Sequence, residues 1–338
     1  MQNNLRLRIL LLVLVALAGV AMVKWIPYYG KAFVAQSHHA IGGSILTGKS
    51  ASIPSPSWHA AFGYAAVYIK SIWQALVLGL LLGSGIKALV PSAWMSHALG
   101  KMGFRNIAIG SLAGLPSMMC TCCAAPVAVG MRQSRASTGS VVAWWLSNPV
   151  LNPATLIFMG FVLGWKWSIF RAALGVLMVI GIALLAERVG EKTVSSGPII
   201  PPENENGSFM SRWIREFAAL SIGLVPEYFA LVLLLGAARA WLFPVLGAHD
   251  SVLWIAAMSL AGTLFVIPTA GEIPIVQGMF ALGLGAGPAA ALIMTLPAVS
   301  LPSLAMLGRV LDLKTRFLIG AGVAASGIAA GLIATVLF

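Results

Sequence analysis

The chain has 338 residues, 59% hydrophobic and 9% charged, with a mean hydropathy of +0.93. A soluble globule carries charge on about a quarter of its residues, so this composition excludes one and indicates an all-α polytopic membrane protein. The formal net charge of +12 is carried by Lys and Arg clustered between apolar stretches, as juxtamembrane charges are, which argues for a lipid bilayer as partner and against nucleic acid.

Apolar stretches of about the twenty residues that cross a hydrocarbon core fall at 9–26, 60–90, 107–131, 138–164, 167–188, 216–243, 252–282, 286–308 and 315–338, nine segments in all. Ahead of the first stand Arg6 and Arg8, so the N-terminus reads as a signal peptide, with Ala16-Leu17-Ala18 as a cleavage site, or as an anchor helix. The run stays apolar to Ile26 and further membrane segments follow, so an uncleaved anchor with a cytoplasmic N-terminus is expected. Two connections are long: Pro27 to His59, which carries His38 and His39, and Gly190 to Ser211, rich in Ser, Pro, Asn and Gly. The expected organisation is an anchor and outward-facing loop (1–59), a first membrane repeat (60–189), a cytoplasmic linker (190–211) and a second membrane repeat (212–338).

The repeat itself is legible as a shift of 148 positions, which lays Cys120–Gly130 on Pro268–Gly278 without a gap, Gly139 on Gly287 and Pro149 on Pro297. Charge sets its handedness. If 107–131 and 252–282 each enter and leave on one side, broken at Pro116, Pro126, Pro268 and Pro274, then Arg132, Arg135, Arg309, Lys314 and Arg316 join the other basic residues on the cytoplasmic side. The two repeats then run in opposite directions, each with a broken or re-entrant helix, a recurrent transporter design with its site near the midplane. A parallel repeat of full spans is the alternative.

Chemistry concentrates at the breaks. Cys120, Cys122 and Cys123 are the only cysteines and follow Met118 and Met119. Sulfur ligands of this kind suit Cu(I), Zn(II) or trivalent arsenic, so the three cysteines, with Met119, are candidate transient metal ligands. The competing reading is packing by small apolar residues. Irregular backbone at membrane depth survives only when buried in protein or beside a cavity, and three thiols there favour a transport pathway. Glu272 lies in the matching break, where a carboxyl marks an ion, proton or substrate contact. Glu272 is therefore the candidate proton-coupling group; its competing role is to cap amides of the break. Thr121 and Thr269 are repeat mates in the two breaks. Asn148, Asn152 and Ser300 supply neutral polar groups beside the kinking prolines Pro149 and Pro297. Glu227 ranks lower, and His38 and His39 read as a solvated loop pair. No phosphate-binding loop or hydrolase spacing occurs, so a secondary transporter without a resident cofactor is expected, not an enzyme.

Cys120-Thr-Cys-Cys-Ala-Ala-Pro126, Ser147-Asn-Pro149 and Pro268-Thr-Ala-Gly-Glu-Ile-Pro274 resemble the family of predicted permeases that includes the organoarsenical efflux permeases of the ArsP type and the YraQ-type proteins. The resemblance covers roughly residues 60 to 338. It implies a bacterial inner-membrane permease, with several members exporting trivalent organoarsenicals or soft metals. The family motif places Gly after its second cysteine; here Cys123 stands there and adds a third thiol. The leading expectation is efflux of a thiophilic solute. The alternatives are transport of a small sulfur compound, a membrane thiol redox protein, and an assembly subunit.

Overall fold

A computed structural model describes residues 2–48, 53–190, 209–244 and 250–338, and these contain helices and connections but no strand. Residues 191–208, most of the expected 190–211 linker, lie outside the described residues.

The first rod is longer than expected. Helix α1 (Gln2–Val20) continues through a π-helical turn (Ala21–Trp25) into α2 (Ile26–His38). A proline ring clashes with the carbonyl four residues back, Val23 for Pro27, and the wider π turn just ahead of it absorbs that crowding. The polar connection therefore begins after His38, not at Pro27. Next come α3 (Trp58–Leu89), α4 (Ser92–Leu99), α5 (Phe104–Gly114), a 3₁₀ turn (Leu115–Ser117), α6 (Thr121–Gln133), α7 (Thr138–Val150), α8 (Pro153–Val162) and α9 (Trp165–Val189). Then follow α10 (Phe209–Leu242), α11 (Val252–Leu264), α12 (Glu272–Ala281), α13 (Ala286–Thr295), α14 (Leu301–Leu307) and α15 (Leu313–Leu337).

Among the described residues five helices are long and apolar enough to cross a bilayer: Arg8–His38, Trp58–Leu89, Trp165–Val189, Phe209–Leu242 and Leu313–Leu337. Large apolar side chains such as Leu10, Met22, Phe33, Trp73, Leu177, Ile222 and Phe317 are exposed on these rods, the surface a bilayer covers. The other four expected segments are interrupted. Those at 138–164 and 286–308 are not continuous kinked helices; each is two half-helices, α7 with α8 and α13 with α14. Short polar side chains cap the restarts: Asn152 accepts from the Ala154 and Thr155 N–H groups, and Ser300 accepts from Ser303 N–H.

The offset read from the sequence recurs in the helices. Residues 104 and 252, 138 and 286, 153 and 301, and 165 and 313 open α5/α11, α7/α13, α8/α14 and α9/α15, each pair 148 apart. Long mates pack antiparallel. On α3 and α10, Gly236 lies against Tyr64, Tyr228 meets Tyr68, Trp213 meets Ser84 and Lys87 pairs with Glu216. On α9 and α15, Trp167 stacks on Phe338 and Gly322 lies against Ile182.

The segment 104–133 is a hairpin. Helix α5 runs parallel to α7, with Gly110 against Ser140 and Gly114 against Ser147, while α6 runs back along it, with Trp145 Nε1 donating to Thr121 O. Its tip is Leu115–Cys120. The prolines act differently from the sequence expectation at two places. Pro126 lies inside the unbroken α6, so it removes one hydrogen bond without ending the helix; the break is upstream, where Met118 takes φ 50°. Pro274 is the third residue of α12, where its missing N–H would have no intrahelical partner anyway. Pro116 and Pro268 do lie in the irregular tips, Pro149 is the penultimate residue of α7, and Pro297 follows α13.

Candidate functional site

The two tips meet. A small cavity between them is lined by Cys120, Thr121 and Pro149 from the first half and by Ile267, Pro268, Thr269, Ala270, Glu272 and Pro297 from the second. Three pairs of repeat mates therefore face one another across it: Cys120 with Pro268, Thr121 with Thr269, and Pro149 with Pro297.

Cys120 is the N-cap of α6, and Cys123 is its third residue. That spacing puts both on one helix face, and their sulfurs lie 3.0 Å apart. Cys122 is turned away: its thiol is 3.5 Å from Ser300 Oγ and also meets the hydroxyls of Tyr68 and Tyr228, which bond each other at 2.7 Å. All three are free thiols, and among the described residues no three or more His, Cys, Asp or Glu side chains converge to hold a metal. The expected three-thiol ligand set thus resolves into a dithiol pair plus one thiol facing a hydroxyl cluster. Met119 is buried and gives its backbone N–H to Asn148 Oδ1 at 2.9 Å, so Asn148 fixes the tip.

Helix α3 presses the dithiol into place. A Cβ on Gly79 would come within 2.0 Å of the Cys123 carbonyl oxygen, and one on Gly83 within 2.2 Å of that of Pro126. Only glycine permits this approach, the small-residue packing of membrane helices.

Glu272, 1% exposed, opens α12 and pairs with Arg171 of α9, 0% exposed, at 2.5 Å. Arg171 also donates to Val150 O at 3.0 Å and Pro149 O at 2.8 Å. Both carbonyls are orphans: Pro153 has no N–H for Pro149 O, and Ala154 N–H goes to the Asn152 side chain instead of Val150 O. One guanidinium therefore joins the α7 break of the first half to the α12 start of the second. The second Glu272 oxygen, Oε2, has no protein partner.

Of the residues expected at the site, Cys120, Thr121, Thr269 and Glu272 line the cavity; Cys122, Cys123, Asn148, Asn152 and Ser300 do not. Asn152 and Ser300, themselves 148 apart, serve as helix caps. Glu227 is exposed on α10. His39 is tied by Nδ1 to Phe161 O at 2.8 Å, so His38 and His39 do not form a free pair. Two residues went unread in the sequence. Arg171 sits near the start of the apolar segment 167–188, where a cation is ordinarily interfacial, although a buried Glu272 demands a cation. Lys24 lies near the end of the first apolar stretch, 9–26, and the π turn buries it to 6% exposure, with Nζ bonded to Thr269 Oγ1 at 3.1 Å and Tyr28 OH at 3.2 Å.

Interrupted helices that meet at an internal cavity in a multi-pass helical protein are a recurrent feature of membrane transporters. The chain is a member of the ArsP_1 family, described as predicted permeases, whose sequence model matches residues 57–336. It is 51% identical over 322 residues to UPF0718 protein YraQ of Escherichia coli (strain K12), covering 94% of this chain and 92% of that one. It is 22% identical over 316 residues to UPF0718 protein MJ0584 of Methanocaldococcus jannaschii, covering 72% and 86%. No solved structure matches it.

Proposed function

We propose that this permease is a secondary transporter that carries a thiophilic solute, such as a trivalent organoarsenical or a soft metal ion, outward across the bacterial inner membrane. The observation that carries this reading is the cavity between the two tips, with Cys120 on one side and Glu272 on the other. The Cys120–Cys123 pair is a bidentate soft donor. A trivalent monomethylarsenical would exchange its two hydroxyls for the two thiols, releasing two waters, and the reverse exchange would free it. Antiparallel packing of α3 on α10 and of α9 on α15 supports inverted repeats, in which rocking of one half against the other exposes a central site alternately. Glu272 then links solute to proton: taking up a proton loosens its bond to Arg171, which holds both halves together. Outward direction follows the resemblance to efflux permeases.

The test is uptake into everted membrane vesicles of Cu(I), Zn(II) and a trivalent methylarsenical by the wild type, Cys120→Ser, Cys123→Ser and Glu272→Gln. Accumulation of one of them that the cysteine variants lose supports the reading, and abolition by an uncoupler supports the proton link; cysteine variants equal to wild type would remove the thiols from the pathway. The 3.0 Å thiol pair also suits a membrane redox protein, in which disulfide formation passes two electrons and two protons to an acceptor. Counterflow in vesicles that contain no acceptor separates the two.

A further inference from the structure

We infer that Lys24, supplied by the N-terminal helix, selects the charge of the solute, and that the solute is a small anion bearing a soft atom. This rests on the thiophilic reading above and adds a charge to it.

The π turn Ala21–Trp25 touches both tips at once. Lys24 Nζ donates to Thr269 in the second tip, and Trp25 Nε1 donates to Pro116 O in the first at 2.8 Å. π turns inside α-helices recur at functional sites, and this one puts an ammonium at the edge of the cavity. Its position is internal, so the side chain does not reach out to a bilayer interface as exposed lysines do.

A buried ammonium at membrane depth is costly unless an opposite charge meets it. Among the described residues the ion pairs are Lys87–Glu216 and Arg171–Glu272, and neither involves Lys24. The cavity's carboxylate is already engaged by Arg171. The Tyr28 ring, 5.3 Å from Nζ, offsets part of the charge. Counting Lys24, Arg171 and Glu272, the fixed charges leave one positive charge, which the thiols of Cys120 and Cys123 oppose in the empty site and cease to oppose once a soft atom binds both. The natural partner for that charge is the cargo.

Glu272 Oε2 completes the specification. It is buried, has no protein partner and belongs to a residue that lines the same cavity, so it is an open acceptor beside the cargo. The cargo thus presents a soft atom to the thiol pair and an anionic group to Lys24 and Thr269, and a water or a donor group of the cargo satisfies Glu272. Lys24 lies outside residues 57–336, the stretch that the family model matches.

Two probes of equal size isolate the charge: carboxymethylarsonous acid, an anion at neutral pH, and its uncharged amide. Uptake of each into everted vesicles is compared for wild type, Lys24→Gln, Lys24→Arg, Thr269→Val and Cys120→Ser, with each variant's membrane content measured by immunoblot. The wild type is expected to favour the carboxylate by about tenfold, the worth of one charge-assisted hydrogen bond. Lys24→Gln abolishes that preference while still carrying the amide, Thr269→Val reduces it, and Lys24→Arg keeps it. Equal handling of the two compounds by the wild type, or equal losses of both in Lys24→Gln, overturns the charge inference and leaves the thiophilic reading intact if Cys120→Ser abolishes uptake. Failure of the wild type to carry either compound overturns both.

Discussion

Removing either partner of the Arg171–Glu272 pair exposes how the two halves are held. With exposures of 0% and 1%, the pair sits where breaking one side leaves an uncompensated charge, which costs about 3–5 kcal/mol. The two partners are not equivalent. Glu272→Gln keeps a neutral hydrogen bond to the guanidinium and leaves the bonds to Pro149 O and Val150 O in place, so about 3 kcal/mol is expected. Arg171→Met strands a carboxylate and two buried carbonyls, each worth roughly 1–3 kcal/mol, so a loss of about 5 kcal/mol or more is expected. In the double variant the stranded charges disappear together. A double-mutant cycle by SDS-induced unfolding of the purified protein in detergent micelles should therefore show non-additivity of at least about 2 kcal/mol. Additivity within about 0.5 kcal/mol, or equal effects of the two single changes, would refute the view that one guanidinium bridges the α7 break and the α12 start.

Gly79→Ala drives a Cβ into the Cys123 carbonyl and should cost about 1–3 kcal/mol by overpacking, whereas Gly63→Ala on the same helix, with nothing within 4 Å of the added carbon, should be neutral or stabilising by up to about 1 kcal/mol; thermal unfolding of the two variants in detergent checks the contrast. Asn152→Ala should lower stability by about 0.5–2 kcal/mol, because it loses the cap of α8, while Asn152→Ser restores most of it. The same pair in vesicle uptake should track stability alone, since Asn152 does not line the cavity. Tyr228→Phe removes the bond to Tyr68 and a contact of Cys122, and should cost about 1 kcal/mol without altering arsenical uptake; a selective loss of uptake would place Cys122 in the pathway.

Much of the architecture was legible because membrane-embedded chains concentrate their signals. Apolar runs marked the spans, and a 148-residue shift carried by a few Gly, Pro and Thr residues corresponds to helix starts such as 165 and 313. The half-helices at 138–162 and 286–307 were hidden, because Pro149 and Pro297 look the same whether they kink a helix or end it; Asn152 and Ser300 decided the matter by capping new helices. The first rod ran past Pro27 because a π turn is a backbone adjustment that no residue pattern announces. Cysteine spacing drew attention to the right loop but not to the division of labour within it, which depends on the α6 register that points Cys122 toward Ser300. Lys24 and Arg171 were out of reach for a related reason: each lies near a segment end, and only the tertiary arrangement turns an interfacial cation into a buried one.

The most direct test of the central claim is to find where a soft solute binds. Purified protein would be equilibrated with a trivalent monomethylarsenical, unfolded in the presence of a thiol-alkylating reagent, and the modification of each cysteine read by mass spectrometry. The account predicts one arsenic per chain, with Cys120 and Cys123 protected together and Cys122 alkylated as in the ligand-free protein. Equal alkylation of all three cysteines, or protection of Cys122 alone, would contradict it.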